Sequence, residues 1–205
     1  MAAAKILKVV KMYGVLGLSR LFLDVVWTKL LLPQARIIRK PFYIKKEGTL
    51  ILGPGFSCGP GLIMDILGED AVLEIGKDLK VYHNLHIGVI EKVTIGDRVL
   101  IASGVYISDH SHGTYSGAEQ SSPLTPPNDR PLVSSPVTIG DDCWLGERVC
   151  VLPGVTIGKG VTVGAGSVVT SSLPDYVIAA GSPARVIKQY NFETQQWESA
   201  KGKTS

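Results

Sequence analysis

From Ile139 onward the chain repeats itself every six residues. It reads IGDDCW, LGERVC, VLPGVT, IGKGVT, VGAGSV and then Val169. An aliphatic side chain returns at Ile139, Leu145, Val151, Ile157, Val163 and Val169. Four places after each of the first five stand Cys143, Val149, Val155, Val161 and Ser167, all small or β-branched. A period of six fits neither a helix nor simple strand alternation. It fits a coil in which each hexad contributes one short strand and one corner. The aliphatic residue points to the axis, and Gly or Asp takes the corner. Three hexads close a triangle, and stacked triangles share one core.

The earlier part of the chain obeys the same rule. Anchors fall in trios at Leu52, Cys58 and Met64, at Ile75, Val81 and Ile87, and at Ile95, Ile101 and Ile107. Within a trio the spacing is six. Between trios it is longer, and from Ile107 to Ile139 it is far longer. All insertions therefore leave from one corner of a prism. The predicted fold is all-β: a left-handed parallel β-helix of about five triangular coils, spanning residues 46–192. An N-terminal helical segment precedes it (1–45), a long loop is inserted after the third coil (108–138), and a polar, frayed tail follows (193–205).

Composition agrees with this picture. Twenty-three glycines among 205 residues favour short strands and tight corners over long helices. A net charge of +3 is too small to argue for nucleic acid, and none is expected as a partner. Cys58, Cys143 and Cys150 form no CxxC and no zinc-ligand spacing, and read as reduced cytosolic thiols. Cys58 and Cys143 fall on inward phases and read as core filler.

In the first 35 residues, Lys5, Lys8, Lys11, Arg20, Asp24 and Lys29 interrupt the apolar runs. That argues against a spanning helix and against a signal peptide. Leu18, Leu21, Phe22, Val25, Val26 and Leu30 have near-helical spacing, and Pro33 would end the helix. Two uses are open: the helix caps the coil end, hiding apolar surface and edge hydrogen bonds, or residues 1–40 rest on a membrane surface.

The long loop opens with "SDHSHG", residues 108–113, holding two of four histidines. Pro123, Pro126, Pro127, Pro131 and Pro136 stiffen it, so it reads as a shaped arm. His110 stands where a coil has just closed, and a neutral imidazole there can exchange a proton near neutral pH. His112 shares its face only if the segment is extended. His83 and His86 read as corner residues, structural or lining an acceptor. Asn84 can serve a site, or can simply hold a left-handed corner. Trp144 points outward by its phase.

The stretch "IGDDCWLGERVCVLPGVTIGKGVTVGAGSVV" followed by "AAGSPARVI" resembles the hexapeptide-repeat acyltransferases. The likeness covers roughly residues 50–192. It is nearest to the galactoside, maltose and Nod-factor O-acetyltransferases, with antibiotic and polysaccharide O-acetyltransferases beside them. The resemblance implies a homotrimer with acetyl-CoA bound in clefts between subunits, no metal, and acetyl transfer to a hydroxyl. It implies His110 as the base, and Asn84 on the acceptor side with His86 and His112 as further candidates. For the cofactor it implies Trp144 along the pantetheine channel and backbone amides near Gly146 and Glu147 at the thioester oxygen. Gly164, Ala165, Gly166 and Ser167 would run along CoA, and Arg185 and Lys188 would meet its phosphates. The expected acceptor is a carbohydrate, nucleotide-sugar or lipid-linked glycan, in bacterial surface polysaccharide biosynthesis on the cytoplasmic side. The N-terminal 45 residues fall outside that likeness.

Competing readings are N-acetylation of an amino sugar or a xenobiotic, a zinc-dependent carbonic anhydrase on the same fold, and a β-helix without catalysis. For the zinc enzyme, Glu147 and Pro153 stand where histidine ligands would be needed.

Overall fold

The computed structural model describes residues 2–200, with side chains from Lys11 onward. A helical segment, α1 (Ala2–Leu31), broken by a kink at Gly14 (φ 67°, ψ 175°), leads into stacked coils whose short parallel strands form three sheets. The first residue of every trio lies on a five-stranded face: Leu52, Ile75, Ile95, Ile139, Ile157. The second residues, Cys58, Val81, Ile101, Leu145 and Val163, lie on a nine-stranded face. The third, Met64, Ile87, Ile107, Val151 and Val169, lie on a six-stranded face. All fifteen anchors are buried. At about 1.5–3 kcal/mol for each buried aliphatic side chain, this axial column is the main stabilising element.

Part-turns extend the stack at both ends. Ile38 stacks on Cys58 and Ile44 on Met64, so the coil begins at Ile37, inside the segment read as helical. Beyond the fifth coil, Leu173 bridges to Ile157 and Ala179 pairs with Val163. The chain then doubles back. Ala184–Asn191 runs antiparallel to Val177–Gly181, and Gln196–Ser199 pairs with it in turn. Part of the tail expected to fray (193–205) is therefore a strand, Gln196–Ser199. Asn191 caps the turn by accepting from the Glu193 and Thr194 amides, and Trp197 packs edge-on against Tyr190. Residues 201–205 lie outside the described residues.

Every long insertion leaves at the corner between the six-stranded and five-stranded faces. The opposite corner, between the nine-stranded and six-stranded faces, repeats one left-handed residue per coil: Gly61, Asn84, Gly104, Arg148 and Gly166. Each amide in this column donates to the coil below, as Gly104 does to His83 O at 2.9 Å and Arg148 to Ser103 O at 2.9 Å.

α1 meets the coil end through polar groups. The Ile38 amide donates to the Thr28 hydroxyl at 2.8 Å, and the Lys40 amide to Asp24 Oδ1 at 3.2 Å. Edge hydrogen bonds are thus met, as a cap requires. The apolar side chains do not face the coil: Leu18 and Leu21 are half-buried, while Phe22, Val25, Val26 and Leu30 are exposed.

Candidate active site

His110 opens a two-stranded excursion, His110–His112 against Leu132–Ser134, at the mouth of the long loop. Its side chain is 16% exposed. The Asp109 beside it is fully buried, and its carboxylate folds back into the corner of the preceding coil. There it accepts from the Ile90 amide at 3.0 and 3.2 Å and from the Glu91 amide at 2.8 Å. The same carboxylate lies 2.9 Å from His110 Nδ1. A carboxylate only accepts, so Nδ1 carries the hydrogen, and in the neutral ring Nε2 keeps its lone pair. Ser108, also buried, brackets the imidazole: its hydroxyl lies 3.3 Å from Nδ1 and accepts the His110 amide at 3.2 Å.

Gly88 forms the floor under the ring. A Cβ there would stand 3.1 Å from His110 Cε1 and 3.9 Å from Nε2. A glycine is needed for the ring to lie this close to the strand. Neither Asp109 nor Gly88 was read from the sequence. In an extended strand, adjacent residues point to opposite sides. Only the turn out of the coil brings Asp109 and His110 together.

The loop is a shaped arm. Arg130 donates to Thr125 O at 2.8 Å and to the Tyr115 hydroxyl at 2.9 Å, and the Tyr115 hydroxyl donates in turn to His112 O. His112 is exposed, and its Nδ1 lies 3.2 Å from Pro127 O, so this imidazole braces the arm. His86 stands on the strand His86–Val89 rather than at a corner. Its Nε2 pairs with Asp65 at 3.1 Å and its ring meets Tyr106 edge-on. Asn84 is exposed with φ 54°, so it holds the left-handed corner that glycine holds in the first, third and fifth coils.

The residues assigned to the cofactor share the Asn84 edge or the face beside it. Trp144 projects from the nine-stranded face and is 51% exposed. The Gly146 amide is taken by Val163 O at 2.8 Å, which leaves the Glu147 amide as the free donor on that turn. Gly164, Ala165 and Gly166 present backbone at the next corner up. Ser167 turns inward: its hydroxyl donates to Gly164 O at 2.6 Å and accepts the Gly181 amide at 3.0 Å. Arg185 and Lys188 are exposed on the first antiparallel strand. Within one chain, then, His110 sits at one edge of the prism while Asn84, Glu147 and Gly164–Gly166 line another. No three His, Cys, Asp or Glu side chains converge as a metal site among the described residues.

A family described as the hexapeptide repeat of succinyl-transferase matches residues 136–171. WbbJ of Escherichia coli K12, which bears the name "putative lipopolysaccharide biosynthesis O-acetyl transferase", is 47% identical over 196 residues, covering 95% of this chain and 100% of that one. The chain is a hexapeptide-repeat acetyltransferase. The WbbJ match runs into the N-terminal segment, which the sugar O-acetyltransferase likeness had left out. The galactoside O-acetyltransferase of E. coli K12 is 40% identical over 119 residues, 58% of this chain and 55% of that one. A solved galactoside acetyltransferase in complex with coenzyme A superposes with a TM-score of 0.52 at 30% identity, covering 80% of this chain and 73% of that one.

Proposed function

We propose that this acetyltransferase moves an acetyl group from acetyl-CoA to a sugar hydroxyl during bacterial surface polysaccharide biosynthesis, such as O-antigen, capsule or exopolysaccharide. The observation that carries the reading is His110, held by the buried Asp109 with Nε2 free at the loop mouth. The coenzyme A complex of the galactoside enzyme and the name of WbbJ support the two substrates.

Nε2 takes the hydroxyl proton as the sugar oxygen attacks the thioester carbonyl. The developing imidazolium is stabilised by Asp109, and the oxyanion by the Glu147 amide. The tetrahedral species collapses, the C–S bond breaks, and His110 returns its proton to the departing thiolate. The products are the acetyl ester and CoA–SH, so neither a covalent enzyme intermediate nor a metal is needed. Trp144 lines the pantetheine arm, Gly164–Gly166 offers backbone beside it, and Arg185 and Lys188 meet the phosphates.

The working unit in this reading is a homotrimer. Adjacent prism edges are separated by a face of about five extended residues, roughly 15 Å. His110 and Asn84 can meet one hydroxyl only if two subunits supply them, and cyclic symmetry then repeats the site three times. The enzyme works on the cytoplasmic side, where acetyl-CoA is available.

The test is release of CoA thiol from acetyl-CoA with candidate sugars, nucleotide-sugars, lipid-linked glycans and amino sugars, for wild type and His110→Ala. The expected result is acceptor-dependent thiol release with an alkali-labile ester product, reduced about 10²–10⁴-fold in the variant. Full turnover by folded His110→Ala, or an alkali-stable amide product, would overturn it.

A further inference from the structure

α1 turns Asp24 and Thr28 inward and much of its apolar surface out. Asp24 and Thr28 are buried against the coil end, whereas Leu16 is 83% exposed, Val15 76%, Leu30 71% and Phe22 67%. A helix apolar around most of its circumference is stable only when that surface is covered. No described helix is long and apolar enough to cross a membrane.

Its charges say which surface. The exposed charged side chains on α1 from Lys11 onward are Lys11, Arg20 and Lys29, all basic, with the Lys29 ammonium donating to Pro33 O at 3.1 Å and Ala35 O at 2.7 Å. Its one acid, Asp24, is occupied inside by the Lys40 amide and by Arg39 at 3.9 Å. Between α1 and the first strands opens a cavity of about 820 Å³, lined by Arg20, Arg39, Lys40 and Asp24 together with Leu23, Trp27 and Phe42. Three cations and one carboxylate give it a net charge of 3 − 1 = +2. Lys40 Nζ stands 4.0 Å from the Trp27 ring centre. A cationic cleft opening beside an aliphatic helix face suits an anion that carries hydrocarbon chains. A cluster of α1 helices from copies of this chain would set basic faces together with no free acid to pair them.

We infer that α1 and the Arg20–Arg39–Lys40 cleft seat the enzyme on an anionic phospholipid membrane. Headgroup phosphates lie at the cleft, and Leu16, Phe22 and Leu30 lie in the acyl boundary. The inference concerns where the protein sits, and it goes beyond the acetyl-transfer reading.

Its test reads binding rather than turnover. Full-length protein is floated with vesicles of phosphatidylcholine alone and of phosphatidylcholine mixed with phosphatidylglycerol. Wild type is expected to float with the mixed vesicles and not with the neutral ones, and to be released by salt. At about five-fold per cation, Arg20→Ala with Lys40→Ala weakens partitioning roughly 30-fold. Leu16→Ser with Phe22→Ser removes it by a separate route. Circular dichroism and light scattering accompany each variant. Failure to float on anionic vesicles, equal flotation on neutral vesicles, or insensitivity to both variant pairs would overturn the inference. So would tight binding of soluble glycerol phosphate without flotation, which would assign the cleft to a free phosphate ester. A change of oligomeric mass in Leu16→Ser/Phe22→Ser with flotation intact would assign the face to a second copy instead.

Discussion

Replacing Asp109 with Asn changes one atom at the centre of the catalytic arrangement. The native carboxylate accepts two backbone amides, Ile90 and Glu91, and faces Nδ1 of His110. An amide keeps one acceptor and turns the other into a donor. If the NH₂ faces Nδ1, the imidazole must accept there, and its hydrogen moves to Nε2. The base is then presented as a donor. If the NH₂ takes the place of Oδ2, the remaining oxygen still serves Ile90 and Nδ1, and the Glu91 amide loses its acceptor in a part-buried corner. The first outcome predicts a loss of about 10²–10⁴ in kcat, the range for loss of general-base assistance. The second predicts a cost of at most about 1–3 kcal/mol for one unsatisfied, part-buried amide, read as a fall of roughly 2–4 °C in Tm per kcal/mol. Steady-state thiol release separates them from each other, since a positioning defect lowers kcat with KM for acetyl-CoA unchanged. A double-mutant cycle is sharper. If Asp109 acts through the imidazole, adding Asp109→Asn to His110→Ala costs less than about two-fold further. The same large factor in both backgrounds would refute the assignment, as would a folded Asp109→Asn enzyme with wild-type kcat.

Two further predictions test neighbouring parts of the structure. Gly88→Ala places a methyl group 3.1 Å from His110 Cε1, so kcat falls by at least about ten-fold while Tm moves by a few degrees at most; an unchanged kcat would show that the ring is not seated on this floor. Burial pushes the Cys58 thiol up to about 12 and the Cys143 thiol to about 11, from 9.0. Both stay protonated in the folded chain, so their contribution is intact below pH 9 and is lost as the pH rises towards 11 and 12. At neutral pH a thiol reagent should label Cys150, which is half-buried, and reach the other two only after unfolding. Three fast-reacting thiols in native protein would contradict this packing.

What was legible in the sequence was whatever the period of six controls. The fifteen anchors, the inward Cys58 and Cys143, the outward Trp144 and the single insertion corner follow from register alone, because one repeat dictates one geometry. Features that break the period were less visible. Asp109 is adjacent to His110, and only the backbone turn at the loop mouth places both on one side. Ile38 and Ile44 carry the same spacing of six as the trios, but the helical pattern before them masked the first part-turn. In α1 apolar residues lie around most of the helix, and the coil end offers unpaired strand amides. Thr28 and Asp24 therefore win the inward positions. The strand at Gln196–Ser199 is polar, and its pairing with Ala184–Asn191 is a tertiary event that no local pattern announces.

The central claim is that two subunits complete one site, with His110 from one and Asn84 from the next. The direct measurement mixes His110→Ala with Asn84→Ala, each inactive alone, unfolds them together in equal amounts and lets them reassemble, with refolded wild type as control. Three-quarters of random trimers are mixed, and each mixed trimer holds one interface of three that pairs an intact Asn84 with an intact His110. Recovered activity should therefore be about a quarter of the control. No recovery despite subunit exchange shown by mass, or an Asn84→Ala parent that is active by itself, would contradict the shared site.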